Sequence, residues 1–179
     1  TLNLTFTTSV DTLDGGAGGD VFTADNTGTA NQMTSADRIA GKDGADTLNV
    51  FSDGNGDPLP IMTSVETINV YDNDDTFDVT GAADVTTVNA IRGDGTAVIK
   101  VDNGKTVNLQ DTTLSSTNSA ADITVNYGAT ATAVTLGIDG IKAGTTPADD
   151  DVTMVGAKIE DVTINVTNAN ATLQSIDVV

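Results

Sequence analysis

The sequence predicts an all-β protein, a right-handed parallel β-solenoid with about 20 residues per coil, on three observations. A tetrapeptide of Thr, an aliphatic residue, Asn and an apolar residue recurs at nearly constant intervals. No stretch sustains apolar residues at a 3.6-residue period, so almost no helix is expected. Thr is abundant, at 31 of 179 residues, and suits strands, while 18 Gly and 24 Asp supply tight turns.

The repeat places the elements in order. Its copies are Thr1-Leu2-Asn3-Leu4, Thr47-Leu48-Asn49-Val50, Thr67-Ile68-Asn69-Val70, Thr87-Val88-Asn89-Ala90, Thr106-Val107-Asn108-Leu109, Thr124-Val125-Asn126-Tyr127 and Thr163-Ile164-Asn165-Val166. From Thr47 onward they advance by 20, 20, 19, 18 and 39 residues, with a weaker copy, Thr135-Leu136-Gly137-Ile138, inside the last interval. In a strand each copy turns its two apolar residues to one face and Thr and Asn to the other. Stacked coils then give one interior column of Leu48, Ile68, Val88, Val107, Val125 and Ile164 and another of Val50, Val70, Ala90, Leu109, Tyr127 and Val166. Outside, Asn or Thr columns form ladders of side-chain hydrogen bonds. Parallel crossovers favour the right-handed winding, and about nine coils at one strand spacing each make a rod on the order of 43 Å long. The alternative is a β-sandwich, which also spaces strands regularly but does not require one pattern seven times.

Composition narrows the function. With 26 acidic and seven basic residues the chain carries a formal charge of −19, which repels phosphate backbones, and no basic patch offsets it. Nucleic acid is therefore not an expected partner. There is no Cys and no His, which removes disulfides, thiolate zinc sites and the commonest general base. No apolar run is long enough for a membrane span. The acidic residues are 24 Asp against two Glu, Glu66 and Glu160, a bias toward turns and short-armed ligands for hard cations. An enzyme reading would need a lyase or hydrolase on a β-helix with Arg92, Lys100 or Lys105 as base. These cations read more simply as surface charge, and only six aromatic residues are available to build a sugar cleft. No catalytic residue is assigned.

The strongest local signal is Gly15-Gly16-Ala17-Gly18-Gly19-Asp20-Val21-Phe22-Thr23, which fits the nonapeptide G-G-x-G-x-D-x-U-x throughout. Its glycines let the backbone turn and bring carbonyl oxygens inward, and its Asp supplies a carboxylate. A second copy, Gly41 to Asn49, has Lys42 at the second Gly position. Nine residues before each motif Asp stands another, Asp11 before Asp20 and Asp37 before Asp46, and Asp75 and Asp84 echo the same spacing.

Over about residues 11 to 50 the chain resembles the RTX (repeats-in-toxin) calcium-binding proteins that Gram-negative bacteria secrete by type I export. The wider pattern, through Ser64-Val65-Glu66-Thr67-Ile68-Asn69-Val70, is similar to segments of Caulobacter-type S-layer proteins and large surface adhesins. The resemblance implies calcium as cofactor, held by the carboxylates of Asp20 and Asp46 and the backbone oxygens of Gly16, Gly18 and Gly44, with Asp11 and Asp37 beside them. Family modules stack consecutive nonapeptides, whereas here the two copies stand about 26 residues apart.

Further acidic clusters are candidates from their own residues. Asp53, Asn55 and Asp57 alternate as oxygen ligands do at the start of an EF-hand loop, although the twelfth position is Ser64. Asp72, Asp74 and Asp75, and likewise Asp149 to Asp151, are dense enough in like charge to favour a bound cation. Arg92-Gly93-Asp94 matches an integrin-binding triplet of a kind that arises often by chance.

The expectation is one continuous domain, part of a longer chain, with RTX-like calcium coils over 1–60 and continuing coils over 61–179. Its function would be that of a calcium-dependent structural protein of the Gram-negative cell surface, outside the cell, in an S-layer-type lattice. It would self-associate through calcium or through open coil ends at Thr1 and Val179, with a cell-surface polysaccharide as a further partner. The alternative is a spacer or binding module of a type I-secreted RTX adhesin or exported enzyme.

Overall fold

The structure is a computed structural model and describes residues 1–52, 56–93, 97–112, 114, 123–142, 151–168 and 175–179. Alternating in-out residues give short strands and no helix among the described residues. None is therefore available to cross a membrane.

Eight strands form one wall: β1 (Asn3–Thr5), β3 (Val21–Asp25), β5 (Thr47–Phe51), β7 (Thr67–Tyr71), β9 (Thr87–Ile91), β11 (Thr106–Gln110), β13 (Ala133–Asp139) and β15 (Asp161–Val166), hydrogen-bonded in that order. Between them the chain visits a second wall. This is a three-stranded sheet of β2 (Thr12–Asp14), β4 (Arg38–Ala40) and β6 (Ile61–Thr63), followed by a five-stranded sheet. The latter consists of β8 (Thr76–Asp78), β10 (Val98–Val101), β12 (Ile123–Tyr127), β14 (Asp151–Val155) and β16 (Ser175–Val178). Every pairing is parallel and joins strands two apart in sequence. That is a parallel β-solenoid, since an antiparallel sandwich would pair sequence neighbours.

The register corrects three details of the repeat. Thr124 to Tyr127 lies in β12, paired with β10 and β14, and the large wall instead takes Thr135 to Asp139. The interior column is therefore Phe22, Leu48, Ile68, Val88, Val107 and Leu136, with Val125 in the opposite wall, while Ile164 and Val166 continue the register in β15 but are exposed rather than interior. Asn3, not Thr1, occupies the position of Thr47, a shift of two that keeps inside and outside unchanged. Coils are also less uniform than 20 residues. Pairings of Asn3 with Val21, Val21 with Thr47, Thr106 with Thr135 and Thr135 with Thr163 give advances of 18, 26, 29 and 28. Among the described residues eight strands stack in the large wall, so eight coils result rather than nine, because the long coils take up more of the chain.

The core is lean and columnar. Phe22, Leu48, Ile68, Val88, Val107 and Leu136 are fully buried against Phe77, Ile99, Val125 and Met154 from the other wall. On the outer face the Asn ladder forms as expected. Asn69 Nδ2 donates to Asn49 Oδ1 at 2.8 Å, Asn89 to Asn69 at 2.7 Å and Asn108 to Asn89 at 2.7 Å.

The chain leaves the large wall through a left-handed residue in four successive coils: Asp72, Arg92, Asp111 and Gly140, with φ of 57°, 55°, 48° and 75°. Asp and Gly tolerate that conformation better than most residues. Arg92 is held in it by a forked pair with Asp72, at 2.9 and 2.7 Å, over the ring of Tyr71, which stacks on Phe51.

Candidate metal centre

Coil stacking puts the residue just before each of the first six strands of the large wall in one column: Leu2, Asp20, Asp46, Glu66, Thr86 and Lys105. Within it, carboxylates bracket successive coils. Asp20 Oδ1 accepts the Leu2 N–H at 2.5 Å, Asp46 Oδ1 accepts the Asp20 N–H at 2.6 Å, and Glu66 Oε2 accepts the Asp46 N–H at 2.8 Å. The residues nine earlier repeat the device at the other wall, where Asp37 Oδ1 accepts the Asp11 N–H at 2.7 Å. Asp84 does the same for Ser64 and Asp102 for Gly81, at 2.7 and 2.8 Å. Each carboxylate satisfies a backbone donor in the preceding coil that the strand ladder does not reach.

In Asp20, Asp37 and Asp11 a carboxylate oxygen also holds the residue's own turn. Asp20 Oδ2 accepts from Gly16 N, Asp37 Oδ2 from Thr34 N at 2.6 Å, and Asp11 Oδ2 from Thr7 N at 2.7 Å. Asp46 breaks the rule. It is fully buried and its Oδ2 has no hydrogen-bond partner. In place of Gly16, the second motif has Lys42 at φ 73°, a left-handed conformation that a side chain adopts at a cost of about 1–2 kcal/mol.

Oxygens converge around the motif glycines. Gly41 O, Asp20 Oδ2 and Ala40 O lie 2.4, 2.7 and 3.2 Å from the point that a Cβ on Gly15 would occupy. Ser64 O and Asp46 Oδ2 lie 1.8 and 2.5 Å from the corresponding point on Gly41. Gly18 O lies 3.0 Å from that of Gly44, whose φ is 135°. These are three separate close packings; at Gly41 a carbonyl oxygen and an unpartnered carboxylate oxygen stand together, the donor chemistry a hard divalent cation takes.

The other candidates are dispersed. Asp57 is buried, with Oδ1 accepting from Asn26 Nδ2 at 2.7 Å and Oδ2 unpartnered. Asp72 is taken up by Arg92, and Asp75 Oδ1 caps the N–H of Thr76 at 2.7 Å. Asp74 is exposed and has an interaction partner of its own. Asp53, Asn55, Asp94, Asp149 and Asp150 lie outside the described residues, while Asp151 opens β14. Among the described residues no three carboxylates gather at one point, so a calcium site here would lean on backbone oxygens.

Glu66 is the member of the column that motif reading overlooks. Its signal was its place immediately before Thr67, as Asp46 stands before Thr47. In comparisons with family models, curated proteins and solved structures, nothing matches this chain.

The brackets predict acid sensitivity. Backbone N–H groups of Gly16 and Leu2 hold the Asp20 carboxyl below its usual range. A carboxylate depressed in the fold contributes stability above its unfolded pKa, about 3.9, and that stability is lost as pH falls through the folded value. Urea denaturation between pH 5 and pH 2 should show wild type losing stability below about pH 4. Asp20→Asn should be weaker at pH 5 and flatter below it.

Proposed function

We propose that this chain is a calcium-dependent structural solenoid of the bacterial cell surface, working outside the cell as part of an S-layer-type lattice. The observation that carries the reading is the buried, unpartnered Asp46 Oδ2 beside Ser64 O, within the second calcium-type nonapeptide. A buried carboxylate oxygen without a donor is costly, and a cation bound only by the folded chain offsets that cost. Asp46, Ser64 and the motif glycines would hold the ion, which would supply charge neutralisation between coils. Lateral or end-to-end assembly is supported by β15, which turns Val162, Ile164 and Val166 to solvent at positions where earlier coils bury theirs.

Extracellular calcium modules bind with dissociation constants near 10⁻⁴ M, so 10 mM calcium would stabilise each such site by about 2.7 kcal/mol. Titrating the chelated protein with calcium should strengthen the β-type far-UV circular dichroism or raise the melting temperature, while light scattering follows assembly. Asp46→Asn keeps an acceptor for the Asp20 N–H and should fold in chelator yet lose the calcium response. Identical spectra, melting and scattering in chelator and in calcium would refute the reading. A calcium response without scattering would favour the adhesin-spacer alternative.

A further inference from the structure

The outer Asn ladder has one rung missing. Asn69, Asn89 and Asn108 donate in series, each Nδ2 to the Oδ1 of the Asn one coil before, beginning at Asn49, and the next position in register is Gly137. Asn165 follows one coil later. Asn108 Oδ1 therefore faces a coil that carries no amide, and it leans to within 2.0 Å of where a Cβ on Gly137 would stand. The gap opens a cavity of about 300 Å³ lined by Asn108, Gln110, Gly137, Asp139, Asn165 and Thr167 together with Ile138. Gly137 has no left-handed φ to explain it, and glycine inside a strand often marks close approach of a ligand.

We propose that this notch binds a sugar carrying an acetamido group, an N-acetylated hexosamine unit of a glycan. The acetamido group supplies the missing rung: its N–H meets Asn108 Oδ1 and its carbonyl meets the Asn165 amide, continuing the ladder's polarity. The cavity is larger than one amide and at the lower end of small-ligand sites, which leaves room for a pyranose ring. Its hydroxyls find Gln110, Asp139 and Thr167, acceptors and donors rather than apolar side chains. That polar lining favours a sugar over a peptide side chain. The absence of an aromatic platform in the lining makes recognition a matter of hydrogen bonds, with affinity in the millimolar range for one unit. The proposal goes beyond the calcium reading and does not depend on it.

The test is chemical-shift perturbation of the full chain in calcium, with N-acetylglucosamine, glucosamine and glucose as probes. N-acetylglucosamine should shift the Gly137 N–H and the Asn108 and Asn165 side-chain amides, with at least tenfold weaker effects from the other two. Gly137→Asn fills the notch and completes the ladder once Asn108 swings back, so it should keep its melting temperature and lose binding tenfold or more. Asp139→Asn, which leaves the ladder untouched, should weaken binding severalfold. Equal shifts from glucose, undiminished binding by a folded Gly137→Asn, or acetamide binding as tightly as the sugar would each overturn the assignment.

Discussion

Gly41→Ala should cost about 3 kcal/mol and lower the melting temperature by roughly 6–12 °C, more than any other single methyl added to the calcium-type turns. The added Cβ would sit 1.8 Å from Ser64 O, a backbone atom of the next coil, and 2.5 Å from Asp46 Oδ2. Neither can step aside without opening the spacing between coils, because Gly41 N already donates to Thr63 O at 2.9 Å. Gly16→Ala provides the contrast. Its nearest atoms would be 3.7 and 3.8 Å away, so the change should be nearly neutral although the consensus motif specifies Gly at both places. In a solenoid each coil leans on its neighbours, so the damage should be local. Hydrogen exchange should quicken in β2 to β6 while β9 to β14 keep their protection. Equal melting temperatures for the two variants would mean that the motif glycines serve a bound ion rather than coil stacking.

The large wall was legible because its signal is redundant. Four consecutive copies from Thr47 to Leu109 share period, polarity and the Asn rung, and all four stack in the expected register. The second wall was not, because strands such as Thr76–Asp78 and Val98–Val101 share no tetrapeptide. Thr124 to Tyr127 shows why pattern alone misplaces a strand. Alternation tells which residues face in but not which wall they build, and Gly137 disguised the true copy. Coil length decides the wall, and the tetrapeptide does not encode the advances of 29 and 28 residues after Thr106 and Thr135.

The candidate site was legible to the same depth. Asp pairs nine residues apart, Asp11 with Asp20 and Asp37 with Asp46, do serve equivalent positions on the two walls. What they bond was hidden, because the partner of each carboxylate is a backbone N–H one coil away and only the register brings it near. Glu66, Asp84 and Asp102 belong to the same set by that criterion, though none stands in a glycine-rich nonapeptide.

Lys105 carries the column's inversion, and its loss is the second large effect expected. It occupies the position of Asp20, Asp46 and Glu66, yet it is buried and donates from Nζ to Ala82 O at 2.6 Å and to Val85 O at 2.7 Å. Earlier coils present a backbone N–H there and receive a carboxylate; the turn of Ala82 to Val85 presents carbonyls and receives an ammonium. A tethered cation thus closes this turn as a bound ion would, so the coils around β9 and β11 should fold without metal. Lys105→Met keeps the stem and strands both carbonyls, and should cost about 2–4 kcal/mol, with a melting temperature lower by roughly 10 °C in chelator and in calcium alike. The sign of its titration gives an independent check. Burial lowers the Lys105 pKa, against the opposing pull of Asp102 and Asp84, so between the folded value and the usual 10.5 the unfolded chain binds more protons. Wild type should therefore gain stability relative to Lys105→Met as pH rises through that window. If calcium instead rescues Lys105→Met to wild-type stability, this turn belongs with the coils proposed to bind calcium and the ammonium only substitutes for an ion the site can still take.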